Sequence, residues 1–303
     1  MMKNILFILL VLTSFNALSE TNFSVKSAPL SLPVGWSFGE VAGISENENG
    51  NTFVFNRGAH QLLEFDSQGR FVKEIGKGNF AKPHGLRIDR HGNIWTTDVN
   101  NHLVLRFSPE GKVTMVLGMK NKASSGWFDR DYNLVLFDSP QDVAFDQSDN
   151  IYVVDKGNSR IVKFSPDGLL IKTWGTSGAN QGEFNFVHSI VIDGNNNIYV
   201  ADRENKRIQV FDLDGNYKEQ WNDIGYPYVL TLSNNTLWMT DARAEKIQQF
   251  SLDGKLLTTY QGQAGRNPNQ FGFVHGIHVS KQGIVKVTQV LNWSVLSLIP
   301  ENK

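Results

Sequence analysis

Apolar side chains along this chain alternate with polar ones at a period of two, as in "HGLRID" from His84 and "HSIVID" from His188. The alternating runs are short and are broken by clusters of turn formers such as "DRHGN" at 89–93, "SPDG" at 165–168 and "DGNNN" at 193–197. A period of two buries one face of a strand, and Gly, Asn and Asp supply the backbone angles of tight turns. No segment sustains a helical period, so the pattern predicts an all-β protein of many short strands.

The runs repeat. Five segments align without gaps: "HQLLEFDSQG" from His60, "HLVLRFSPEG" from His102, "RIVKFSPDG" from Arg160, "RIQVFDLDG" from Arg207 and "KIQQFSLDG" from Lys246. Each carries a Phe (65, 107, 164, 211, 250) followed four residues later by Gly (69, 111, 168, 215, 254). Upstream lies a second column, "FVFN", "WTTD", "YVVD", "YVAD" and "WMTD", ending at Asn56, Asp98, Asp155, Asp202 and Asp241. These end points are 42, 57, 47 and 39 residues apart, which suits units of four strands. An acidic residue recurring in successive units is read as a turn-locking acceptor rather than as a reactive group. A sixth unit starts at "VHGIHV" and stops after three strands, and "FSVKSAPLSLP" ahead of the first unit is the candidate for its fourth. The expectation is a six-bladed β-propeller over 20–303, its ring closed by the N-terminal strand, which removes two exposed sheet edges.

Composition changes the picture in three ways. With 303 residues, 40% of them apolar, and a formal charge of -1, the chain is large enough for a substantial core and has no bias toward nucleic acid or membrane surfaces. A closed ring buries its own core, so a monomer is expected. The stretch 1–19 joins Lys3 to an apolar run from Ile5 to Leu12 and then to small residues at Ala17 and Ser19. It reads as a cleavable signal peptide, giving a secreted or periplasmic protein, and its apolar run is too short to span a bilayer. There is no cysteine, so neither disulfides nor thiolate metal ligands are available.

Register across the units isolates the candidate chemistry. The first strand of each places His84 ("PHGL"), Gln141 ("PQDV"), His188 ("VHSI"), Tyr228 ("PYVL") and His275 ("VHGI") in one column. The histidines fall on blades two, four and six, about 120° apart in a six-fold ring whose first strands line the channel. Three imidazoles meeting at one level match a His₃ zinc site with a fourth position open to water or substrate. The alternative is that they cap strand starts by bonding to backbone. His60, His91, His102 and His278 fall elsewhere in the repeat and are read as structural.

The sequence Asn101-His102-Leu103, with "NSRI" and "NKRI" in the same column, resembles the NHL repeat, a propeller family that includes enzymes and binding platforms alike. More specifically, "FNRG" at 55–58, "PHGL" at 83–86, "VHSI" at 187–190, "ADRENKRIQ" at 201–209 and "VHGI" at 274–277 resemble the peptidyl-α-hydroxyglycine α-amidating lyases. That resemblance implies a catalytic zinc on His84, His188 and His275, and two arginines beside it, Arg57 and Arg203. It also implies cleavage of the C–N bond of a peptidyl-α-hydroxyglycine to a peptide amide and glyoxylate, with the small-molecule or peptide substrate in the central channel. Zinc would act as a Lewis acid on the substrate hydroxyl, and an arginine fork suits a terminal carboxylate.

Two positions depart from the family. Its tyrosine on blade three, the assigned base, is replaced here by Lys156-Gly157 in "VVDKGNSRIV". Tyr228 and Lys156 are the candidates to stand in for it. The family's calcium-binding Asp after the third histidine is Gly276, which argues against calcium by that route. The long connection "GMKNKASSGWFDRDYNLVLFDSP" offers Trp127, Phe128 and Tyr132 as a binding rim. The main rival to an enzyme is a propeller that binds a peptide, glycan or protein around a structural metal. Calcium-dependent lactonase-like propellers hold their metal with Glu, Asn and Asp, which a histidine column does not resemble.

Overall fold

In the computed structural model, which describes residues 23–124, 128–129 and 134–301, six antiparallel four-stranded sheets follow one another along the chain. Their innermost strands are Val41–Glu46, Pro83–Ile88, Pro140–Phe145, Val187–Ile192, Leu230–Ser233 and Val274–Val279, and each sheet runs outward in chain order. The sixth is composite. Val274–Val279, Val285–Gln289 and Ser294–Pro300 are completed on the outside by Phe23–Ser27, paired from Phe23↔Pro300 to Ser27↔Leu296. Regular helix is confined, among the described residues, to a 3₁₀ turn at Lys156–Asn158. No helix of the described residues is long and apolar enough to cross a membrane.

The repeated Phe column explains why these strands pack. Phe107, Phe164, Phe211 and Phe250 pair across the ladder with Ile94, Ile151, Ile198 and Leu237, and Leu298 takes the same place in the sixth blade opposite Val285. These rings are buried between neighbouring blades, as in the cluster joining Trp95 and Val104 of blade two to Phe137, Val153 and Phe164 of blade three. Burying a side chain of this size contributes about 1.5–3 kcal/mol, so the seams hold the ring together. The glycine that follows each Phe has φ between 74° and 93°, a left-handed turn conformation that disfavours a Cβ.

The Asp column locks the hairpins between second and third strands. Asp98 accepts from the backbone N–H groups of Lys82 and Asn101, and Asp202 from that of Asn185 and from the side chains of Asn205 and Arg207. Each therefore ties the hairpin of its blade to the segment entering that blade's first strand. The consequence for function is positional: the hairpins and the entries to the inner strands are fixed together on one face, around one end of the channel.

Candidate metal centre

His84, His188 and His275 each stand second in an inner strand, on alternate blades. Their ring centroids are 4.9 Å (His84 to His188), 4.8 Å (His84 to His275) and 5.1 Å (His188 to His275) apart, and one nitrogen from each lies within 4.8 Å of the others. All three are buried. The Nδ1 atoms bond to backbone carbonyls of the next blade: Gln141 at 2.8 Å, Tyr228 at 2.7 Å and Ala42 at 2.8 Å. A carbonyl oxygen only accepts, so Nδ1 carries the proton and Nε2 keeps its lone pair. Thr97 donates to the same Gln141 carbonyl at 2.8 Å, and Thr288 lies 3.5 Å from that of Ala42.

Burial holds the imidazoles neutral. It drives His84 and His188 well below the usual histidine range, helped by repulsion from His275 and, for His188, also from His84, and by the nearby arginine charges, and it lowers His275 to about 4. Three buried neutral nitrogen donors, each with its second nitrogen already oriented, are the donor set that zinc takes. Capping of backbone and metal ligation are thus compatible, because they use different ring nitrogens.

One layer beneath, the channel is closed. Arg87 of blade two bonds Asp142 of blade three through Nε at 2.9 Å and through Nη2, which also reaches the Leu230 carbonyl of blade five at 3.0 Å. Blades two and five are opposite in a six-bladed ring, so this side chain crosses the axis. Ser189 of blade four donates to Asp142 at 2.6 Å. Between this layer and the histidines lies a cavity of about 20 Å³, water-sized by usual standards. The backbone at Gly276 leaves no room for the side chain that the family carries there, since a Cβ would sit 2.7 Å from the Ala42 carbonyl oxygen.

On the open side, Arg57 and Arg203 stand beside the imidazoles, near enough for their charges to depress His84 and His275. Arg57 donates to Glu40 at 2.7 Å and to the Pro83 carbonyl at 3.0 Å. Arg203 stacks on Phe186 (3.5 Å) and Tyr228 (4.7 Å) and pairs with Glu204 at 2.8 Å. The Tyr228 ring lies 5.2 Å from His188 and 6.0 Å from His275, and its hydroxyl beside Arg243 raises the pKa of that guanidinium. Lys156 sits farther out, its ammonium 4.5 Å above the Phe186 ring. Phe186 and Phe273, two residues ahead of His188 and His275, have φ near 60°, a conformation that costs a bulky residue energy and that here sets the mouth of the channel.

The other histidines stay out of the centre. His60 stacks on Trp36 and bonds Glu74, His91 bonds Asp149, His102 accepts from the Ser139 N–H, and His278 pairs with Glu46. Of the rim candidates, Trp127 and Tyr132 lie outside the described residues, and Phe128–Asp129 forms a two-residue ladder with Leu134–Val135.

Comparison with known proteins bears on this geometry. A family model described as a 6-bladed beta-propeller matches residues 132–252, and one for the NHL repeat matches 80–107. Peptidyl-glycine alpha-amidating monooxygenase A of Xenopus laevis is 35% identical over 189 residues, covering 52% of this chain and 20% of that protein. The chain is a six-bladed NHL-repeat propeller homologous to the amidating monooxygenases. The propeller is likewise 34% identical over 185 residues to the Mus musculus peptidyl-glycine alpha-amidating monooxygenase, covering 50% of itself and 18% of the relative. It spans about one fifth of the length of these curated relatives. A solved streptogramin B lyase superposes with a TM-score of 0.66 over 92% of the propeller and 98% of that chain, at 19% identity, a likeness of fold alone.

Sequence reasoning missed the plug. Arg87, Asp142 and Ser189 carry it, and a signal was present: the column after the channel residue reads Gly43, Gly85 and Gly276 in three blades but Asp142 and Ser189 in two others. A polar group replacing a glycine against the axis marks a partner across the channel. The cations Lys206 and Arg243 on the hairpins of blades four and five were missed too, because nothing in their spacing distinguishes them from solvated surface charges.

Proposed function

We propose that the propeller is a secreted zinc-dependent carbon–nitrogen lyase acting on peptidyl-α-hydroxyglycines, with the reacting end of the substrate in the mouth of the channel. The observation that carries this reading is the three buried, neutral imidazoles with their Nδ1 atoms engaged and Arg57 and Arg203 beside them. Zinc, when bound by His84, His188 and His275, supplies Lewis acidity to the substrate hydroxyl. The arginines orient the terminal carboxylate, and their charges help keep the imidazoles unprotonated. In the net reaction the C–N bond breaks, the carbinol becomes the aldehyde of glyoxylate, and one proton passes from the hydroxyl oxygen to the departing amide nitrogen. We assign the relay of that proton to Tyr228, whose ring lies 5.2 Å from that of His188. The Arg87–Asp142 layer keeps bulk water from reaching the centre from below.

The replacement of the family tyrosine by Lys156-Gly157 favours a second reading, a non-catalytic peptide, glycan or protein binder that retains a structural metal. Metal content after purification without added zinc, followed by a glyoxylate assay on an α-hydroxyglycine peptide, separates the two. One zinc per chain with glyoxylate release supports the lyase. Stoichiometric zinc without glyoxylate leaves the binder, and absence of zinc removes both.

A further inference from the structure

We infer that Lys206 and Arg243 form a second, anion-binding subsite outside the metal centre, which selects peptides with an acidic side chain immediately before the reacting C-terminal residue. As a statement about substrates this rests on the lyase reading; as a statement about peptide binding it does not.

The mouth is electrostatically lopsided. On the blade-one side Arg57 is matched by Glu40 at 2.7 Å. Across from it, Lys156, Arg203, Lys206 and Arg243 project from successive hairpins of blades three to five, and within ion-pair distance among the described residues only Glu204 offsets them. These cations are held by aromatic faces as well. Arg243 lies 4.1 Å and Lys206 4.9 Å from the Tyr226 ring, and Tyr226 stands in the segment leading into the inner strand, two residues ahead of Tyr228. A guanidinium stacked on a ring still donates in its own plane, as Arg243 does through Nη2 to Glu204, and the ring fixes where its remaining N–H groups point.

Exposure divides the labour. The Arg203 side chain is 12% exposed and sits against the imidazoles, whereas that of Arg243 is 41% exposed. Both guanidinium groups donate to the same oxygen of Glu204, at 2.8 and 2.7 Å. They are therefore one residue's reach apart, with Arg203 inward and Arg243 outward. A peptide whose terminal carboxylate lies at Arg203 presents the side chain of its preceding residue to Arg243 and Lys206. With the local charge in surplus, a Glu or Asp there is attracted and a Lys or Arg is repelled.

The test compares acetylated tripeptides ending in Glu-α-hydroxyglycine, Gln-α-hydroxyglycine and Lys-α-hydroxyglycine on the zinc-loaded protein. The Glu substrate should exceed the Gln substrate about tenfold in kcat/KM, with Lys lowest. The Glu-to-Gln ratio should shrink between roughly 50 and 500 mM NaCl, and should fall toward one in Lys206→Gln and in Arg243→Gln. Fluorescein-labelled peptides ending in Glu-Gly and Gln-Gly provide a parallel binding measurement by anisotropy that needs no turnover. A Glu preference in binding that Lys206→Gln and Arg243→Gln abolish, without glyoxylate release, keeps the subsite and removes the lyase. Glyoxylate release with equal ratios for Glu and Gln does the reverse. A Glu preference that survives both substitutions, or no binding of either peptide, overturns the subsite.

Discussion

Each histidine of the centre works in two directions, its Nδ1 bound to the neighbouring blade and its Nε2 left for a ligand. Removing one ring therefore tests ligation and packing separately. His84→Ala should abolish stoichiometric zinc, measured by elemental analysis after dialysis, because two imidazoles no longer make a tight site. It should cost about 1–3 kcal/mol of stability in urea titration through the lost contacts and the lost bond to the Gln141 carbonyl, which keeps only its bond from Thr97, while the circular dichroism spectrum stays that of a propeller. Arg203→Lys separates charge from shape. Lysine keeps the positive charge but loses the flat fork stacked on Phe186 and Tyr228, so kcat/KM in the glyoxylate assay should fall by about 10–100-fold with zinc content unchanged. The histidines were legible in the sequence because register across repeats turns scattered residues into a ring. Tyr228 was legible for the same reason. The orientation of its hydroxyl toward Arg243 was not, because a side chain's reach is set by packing between blades that repeat spacing does not encode.

At the level of elements, the inner strands carry a division that the outer ones lack. Position two faces the centre on blades two, four and six, where it is His84, His188 and His275, and residues farther along on blades two, three and four build the Arg87–Asp142–Ser189 layer. Arg87→Met leaves Asp142 as a buried charge without its partner, and about 3–5 kcal/mol of stability should be lost, read as a lowered urea midpoint. The double replacement Arg87→Met with Asp142→Asn should recover part of that loss, since no uncompensated charge remains. The strands themselves were legible from alternation, and the hairpins from the Asp column, because those signals are local. The plug joins residues 55 positions apart in sequence and was visible only as two polar residues standing where other blades have glycine. Local pattern specifies elements, whereas contacts across the axis depend on the closed ring.

For the molecule as a whole, the seam between the last and first blades decides whether the ring stays shut. Besides the strand pairing of Phe23–Ser27 with Ser294–Pro300, this seam has an ionic clasp in which Glu46 of blade one meets Lys286 and His278 of blade six, the latter at 3.2 Å. Burial pushes the Glu46 carboxyl up, but the bonds and charges of His278 and Lys286 outweigh it and hold the group at about 2, below its ordinary 4.5. A depressed carboxyl stabilises the fold above its unfolded value, and that contribution fades as pH falls from about 4.5 toward 2. Glu46→Gln should therefore be less stable than the parent by about 1–2 kcal/mol at neutral pH once solvent screening is allowed for, with the difference in urea midpoints closing as pH approaches 2. The composite sixth blade was legible from the count of strands, since three strands at one end and a spare one at the other imply closure. The clasp was not, because its residues come from opposite ends of the chain and belong to no repeated column.

The plug has a consequence for the shape of what can be handled. A channel blocked on its axis is a cul-de-sac: whatever enters must leave by the same door, and nothing can be threaded through. A long polymer could then present only its tip, with the remainder lying outside across the hairpins. Discrimination by such a molecule would depend on the last two or three residues of a chain and be indifferent to its length, so that peptides of very different sizes sharing one ending would compete as equals.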